Sequence, residues 1–116
     1  MPTAPAPSHL MYRANAEAAV VEMFPGVVRR TLNSGEHTTL IEVTLAAGAT
    51  VPAHSHPHEQ TGYVAGGRVR FVIEGVRREL AAGDGYLVPG GASHEVTALE
   101  ASVCIDCFSP VREEYL

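Results

Sequence analysis

Beyond Pro25, no stretch between turn signals is long enough to hold a helix of useful length. Pro25-Gly26, Asn33-Ser34-Gly35, Gly66-Gly67, Glu74-Gly75, Gly83-Asp84-Gly85 and Pro89-Gly90-Gly91 cut the chain into short pieces. Glycine supplies positive φ and proline pre-sets φ near −65°, so such clusters reverse the chain. Between them apolar residues recur with period two. In residues 38–45, Thr39, Ile41, Val43 and Leu45 fall on one face and Leu40, Glu42 and Thr44 on the other. Residues 27–32, 63–64, 68–73, 76–80 and 86–88 also read as strands, as does one run from Glu95 to Phe108, and residues 46–52 read as a turn. Short strands with turns about every eight to twelve residues make a sandwich or a barrel, so the chain is expected to be all-β.

The start of the chain differs. Residues 1–13 are rich in Pro and Ala (Pro2, Pro5, Pro7) and lack a period, and Ala14 to Ala19 can begin a short helix. An N-terminal arm over 1–16 and a single domain over 17–116 follow. The 116 residues suit one domain, and 46% hydrophobic against 18% charged residues is the balance of a folded protein. A net charge of −5 offers no basic patch for phosphates, so no nucleic acid is expected as partner. No apolar run approaches the roughly 18 residues of a membrane span, and no basic-then-apolar leader is present. Cys104 and Cys107, three apart on a strand, face opposite sides and make no disulfide framework. The expected setting is the cytoplasm.

Four of the six histidines lie in two clusters, His54-Ser55-His56-Pro57-His58-Glu59-Gln60 and Pro89-Gly90-Gly91-Ala92-Ser93-His94. On an extended segment His54 and His56 project to one side, so a single ion can take both at about 2.0–2.1 Å. His94 from a distant strand and an oxygen of Gln60 would complete four ligands and leave positions open. A register slip of one residue would put Glu59 in the place of Gln60. Pro57 interrupts the strand before His58, which is expected behind the ligands or facing solvent. His9 and His37 have no partners nearby. Tyr63 and Tyr86 flank the clusters as candidates for the cavity wall or the core, and Arg68 and Arg70 are expected to face solvent or a partner subunit, with Arg70 reaching the pocket as the alternative.

These clusters carry a family resemblance. Gly48, His54, His56, Gln60 and Gly67 resemble the first cupin motif in spacing, and Gly83, Pro89 and His94 resemble the second. The resemblance covers about residues 27–108. It implies a double-stranded β-helix, the cupin jelly-roll barrel, with one divalent transition metal ion (zinc, nickel, manganese or iron) inside. Two positions depart from the usual motifs: Gln60 stands where Glu is common, and Ala98 where the second motif ends in Asn. A neutral Gln leaves the ion its full charge, which makes a stronger Lewis acid and favours an anionic substrate.

The end of the chain adds a second cluster. Alternation over residues 103–108 puts Cys104, Asp106 and Phe108 on one face. If that face lines the barrel, Asp106 is a buried carboxylate near the ion, suited to acid–base work. Arg112, after Pro110, can fold over the mouth and grip a carboxylate with its bidentate fork, or pair with Glu113 or Glu114 at the surface. Residues 105–116 resemble the tail of small cupins that linearise unsaturated uronates in pectin degradation. That resemblance implies catalytic roles for Asp106, Phe108 and Arg112 in converting 4,5-unsaturated uronates to open-chain keto sugars. The expectation is a metal-dependent isomerase or lyase acting on a small anionic organic molecule. The alternatives are a non-haem dioxygenase and a non-catalytic binding or polyketide-cyclase-like module. A homodimer is expected, with the apolar stretch 18–24 laid across the neighbour.

Overall fold

Alternation along each strand sorts side chains into an inner and an outer layer, and two sheets form around the inner one. The structure is a computed structural model describing residues 11–116. Pro2, Pro5, Pro7 and His9, assigned to the arm, lie outside the described residues. The strands are β1 (Val20–Phe24), β2 (Val27–Ser34), β3 (Thr39–Leu45), β4 (Thr50–His54) and β5 (Glu59–Gly66). They continue with β6 (Arg68–Ile73), β7 (Val76–Ala81), β8 (Gly85–Val88), β9 (His94–Ala98) and β10 (Ser102–Ser109). One sheet has the order β1-β2-β3-β10-β5-β8 and the other β4-β9-β6-β7. Every pairing is antiparallel. Strands β9 and β10 each insert between earlier strands, which closes the jelly-roll wrap. No helix among the described residues is long and apolar enough to cross a membrane.

Apolar inner positions of both sheets meet in one core that includes Ile41, Val43 and Leu45 of β3, Val64 of β5, Val69 and Phe71 of β6, and Cys104 and Phe108 of β10. The alternation read for β3 and β10 is therefore the alternation of burial. In β6 the same rule turns Val69 and Phe71 inward, while Arg68 faces solvent beside Glu79 at 2.7 Å. Such an exposed pair contributes little. Burial pushes the Cys104 thiol up to about 12, with the Asp106 charge adding to it, so Cys104 is an inert packing group.

Four local expectations are corrected. Residues 46–52 are not all turn, because β4 begins at Thr50. Pro52 reads as a breaker, but β4 is an edge strand with a register shift between Val51 and His54, where a missing N–H removes no ladder bond. The run from Glu95 to Phe108 is two strands in different sheets, divided at residues 99–101 by a turn that neither Gly nor Pro marks. Residues 14–19 hold only a single 3-10 turn, Asn15–Glu17, after which β1 pairs with β2 of its own chain. Strand β5 starts at Glu59 instead of Tyr63, and Tyr63 is half-exposed on its outer face.

Gly67 shows how closely the turns approach the sheets. It has φ +85°, and a Cβ there would overlap the Ser102 side chain and the Ala101 backbone. Gly83 has φ +98° but open space around it. Gly83→Ala is expected to cost about 1 kcal/mol from backbone strain alone. Gly67→Ala adds overlap and is expected to cost roughly 2–4 kcal/mol. Urea midpoints at constant m-value measure both.

Candidate metal centre

The barrel interior brings three imidazoles together from two strands and a loop. His54 ends β4 and His94 opens β9 directly across the ladder from it. Their ring centroids lie 4.2 Å apart. His56 follows His54 by two residues in the loop before β5, with its ring 4.9 Å from that of His94. One ligand atom from each of the three lies within 4.8 Å of the other two, close enough to share an ion. Gln60, an inward position of β5, joins from the opposite sheet with its Oε1 3.1 Å from His56 Nε2.

Backbone carbonyls fix which ring atom faces inward. Nδ1 of His54 lies 2.8 Å from Pro52 O and Nδ1 of His94 lies 2.9 Å from Ala92 O. Nδ1 of His56 lies 3.1 Å from His58 O. A carbonyl can only accept, so each Nδ1 carries a proton, and in a neutral ring the lone pair is then on Nε2. Burial lowers His56 to about 4, helped by the positive charge of Arg112 and by His94, and burial also lowers His94. Both rings are neutral near pH 7, the form a metal needs.

The Gln60 amide has one orientation for the same reason. Its Nε2 donates to Asp106 Oδ1 at 2.9 Å, so Oε1 points at His56. Two acceptors, His56 Nε2 and Gln60 Oε1, then face each other at 3.1 Å with no proton between them. A cation about 2.0–2.2 Å from each resolves that contact. The three imidazoles and the amide oxygen therefore fit a divalent transition metal.

The flanking residues sort as follows. Glu59 is exposed, so the register that favours Gln60 over Glu59 is the one present. His58 is buried behind His56, with its ring 5.6 Å away and its carbonyl orienting it. Ala98, where the motif resemblance would have Asn, is buried and exchanges backbone bonds with Gly48 and Ala49.

Asp106 and Phe108 face inward from β10, and a cavity of about 50 Å³ is lined by both together with His54, Gln60, His94 and Arg112. Burial raises the Asp106 carboxyl above the usual range, opposed by hydrogen bonds from Tyr86 and Gln60 and by the charge of Arg112. Arg112 is buried, with its guanidinium carbon 4.8 Å from the Phe108 ring centroid and 4.0 Å from that of Tyr115. Its Nε has no hydrogen-bond partner, and Glu114 approaches only to 3.6 Å. The surface ion pair considered from the sequence is thus a loose contact beside a buried cation.

Two features escaped the sequence reading. The Tyr86 hydroxyl donates to Asp106 Oδ1 at 2.7 Å, an interaction that needs the cross-strand register to be seen. Tyr115 lies between two guanidinium groups, Arg112 on one side and Arg29, 4.2 Å from the ring, on the other. Nothing in the sequence connects Arg29 with a residue 86 positions away, the separation at which its Nη1 bonds Tyr115 O.

Because Asp106 receives its bond from the Gln60 amide, Gln60→Glu would set two buried carboxylates face to face. In metal-free protein this is expected to cost roughly 1–3 kcal/mol, and adding Asp106→Asn should recover most of it. Thermal melts of the two variants after chelation measure this. His94→Ala should weaken zinc or nickel binding more than about 100-fold, beyond the usual cost of losing an outer-shell partner. Elemental analysis and calorimetric titration read that loss.

The cupin domain model matches residues 41–105. The pectin degradation protein KdgF of Dickeya dadantii is 36% identical over 107 residues, covering 90% of this chain and 97% of that protein. The structure of KdgF from Halomonas sp. superposes with a TM-score of 0.85 at 33% identity, covering 90% of this chain and 97% of the other. An RmlC-like cupin from Shewanella frigidimarina gives a TM-score of 0.86 at 27% identity, covering 90% and 95%. Matched over more than half its length by the family model, and along nearly all of it by these relatives, the chain belongs to the cupin family.

Proposed function

We propose that this protein is a metal-dependent enzyme that opens the ring of 4,5-unsaturated uronates, with His54, His56, His94 and Gln60 as metal ligands. The observation that carries the reading is the arrangement around Asp106. A buried carboxylate hydrogen-bonded to the candidate ligand Gln60 shares one cavity with His54, His94 and a buried arginine. Two relatives spanning nearly the whole chain bear the name of a pectin degradation protein, which supports an unsaturated uronate as substrate.

The reaction is an isomerisation that needs no oxidant or co-substrate. The hemiacetal hydroxyl at C1 loses its proton, C1=O forms, and the C1–O5 bond breaks with its electron pair moving to O5. The resulting enolate becomes a C5 ketone as C4 takes a proton. A bound divalent ion would supply Lewis-acid stabilisation of negative oxygen here. Asp106 takes the hydroxyl proton and returns one to C4, work that its burial favours by keeping the proton affinity up. Arg112, which lines the same cavity, holds the substrate carboxylate through a charge-assisted bond from its guanidinium. Phe108 stacks under that guanidinium, restricts its swing, and packs edge-on to His56 at 5.4 Å. The apolar wall of Ile41, Val43 and Leu45 keeps the site dry. The same reading has the protein act as a homodimer in the cytoplasm, where two free cysteines on opposite faces of β10 suit a reducing compartment.

Unsaturated galacturonate incubated with metal-loaded protein should lose the ultraviolet absorbance of its conjugated double bond. Asp106→Asn should lower kcat roughly 10²- to 10⁴-fold. Arg112→Ala should act mainly on KM, raising it about 10- to 100-fold. Absence of decay with zinc, nickel, manganese and iron alike would sink the reading, and oxygen uptake with iron alone would favour the dioxygenase.

A further inference from the structure

The two oxygens of Asp106 are treated unequally by their surroundings. Oδ1 accepts from the Tyr86 hydroxyl at 2.7 Å and from Gln60 Nε2 at 2.9 Å. Among the described residues no group donates to Oδ2, and it is not among the atoms sealed away from the cavity without a partner. One oxygen is pinned; the other has no donor and belongs to a residue that lines the cavity shared with His54, His94 and Arg112.

Cross-strand register explains how Tyr86 reaches so far. Asp106 on β10 pairs with Gly62 on β5, and Gly62 pairs with Tyr86 on β8. Tyr86 therefore lies two strands, about 9–10 Å, from the residue it bonds. It lies across the intervening position, which is possible because that position has no side chain. A Cβ on Gly62 would overlap the Tyr86 ring itself. On its other side the ring packs against Phe71, with centroids 4.2 Å apart. Burial and the neighbouring Asp106 charge raise the Tyr86 hydroxyl, so it stays a neutral donor at any working pH. Gly62 carries no positive φ. Its role is space, and the space is filled by one ring.

We propose that Tyr86 is a positioning residue for Asp106, reaching across Gly62 to hold Oδ1 so that Oδ2 is the atom that exchanges protons with substrate. The catalytic part of this rests on the ring-opening reading above. Without Tyr86 the carboxylate keeps only the Gln60 bond as a pivot and rotates about it, so productive geometry is populated less often while substrate binding is unaffected.

Tyr86→Phe removes the hydroxyl and retains the ring on Phe71. With metal-loaded protein and unsaturated galacturonate, kcat should fall about 10- to 100-fold, the range for one bond to a charged acceptor, with KM within about twofold. Metal content should match the wild type, and the melting temperature should fall by no more than several degrees, the cost of one buried bond. Gly62→Ala, which displaces the ring, should lower kcat similarly, and the two changes together should cost little more than either alone. A readout free of turnover is the infrared carboxyl band of Asp106, isolated by subtracting the spectrum of Asp106→Asn. Tyr86→Phe and Gly62→Ala should both move it in the absence of substrate. An unmoved band overturns the proposal, as does a loss in Tyr86→Phe that appears in KM or melting temperature instead of kcat. If the wild type shows no turnover, the uronate reading fails by itself, and the band alone decides whether Tyr86 holds Asp106.

Discussion

The side-chain amide of Gln60 is the joint on which the interior depends. Its nitrogen is committed to Asp106, which leaves its oxygen turned toward His56 Nε2 at 3.1 Å. The three imidazoles are oriented from outside by main-chain carbonyls, two of them belonging to the residue two places earlier, Pro52 for His54 and Ala92 for His94. Every atom facing the centre is consequently an acceptor. Such an interior is unfavourable when empty, since lone pairs oppose one another in a region of low dielectric, and favourable around a cation. The same arrangement that orders the hydrogen bonds also fits the site to an ion.

The parts of the molecule legible in the sequence are those governed by local periodicity. Burial in β3 and β10 follows the alternation residue by residue, because both strands are interior to their sheet and face the core on one side. His54, His56, Gln60 and His94 could be grouped because a short extended segment fixes their parity and because the motif spacing repeats a known pattern. The misreadings have one physical source. Pro52, the unmarked turn at 99–101 and the β1 segment each depend on which strand lies next to them, and pairing is a property of the whole sheet. Tyr86 illustrates it best. Its place in the cavity wall was open to inspection, but its bond to Asp106 requires β5 and β10 to be neighbours, which sequence order conceals.

The cross-strand row also changes how Gly62 is understood. A glycine inside a strand weakens it, and the usual compensation is a turn, a bulge or a close approach. Here the compensation is an aromatic ring laid over the bare backbone, carrying a hydroxyl to a carboxylate on the far side. The stabilisation lost in β5 is offset by burying the Tyr86 ring against Phe71.

The exchange of a common Glu for Gln60 then has a physical reading. As a ligand set, three imidazoles and an amide would leave the full charge of a bound dication uncompensated. The nearest carboxylate is Asp106, one hydrogen bond further out at 2.9 Å from the amide nitrogen. The negative charge has been moved outward by the length of one side-chain amide. In that place it would face the field of a bound ion, which favours the ionised form, against burial, which favours the neutral form. A Glu bound directly to the ion would have its proton affinity depressed by the metal charge and would be a weak base. A carboxylate set just behind a neutral ligand would keep an oxygen for substrate, and it disfavours a Glu at position 60, because two carboxylates at that separation do not readily ionise together. Gln60 and Asp106 are a matched pair, and neither choice makes sense without the other.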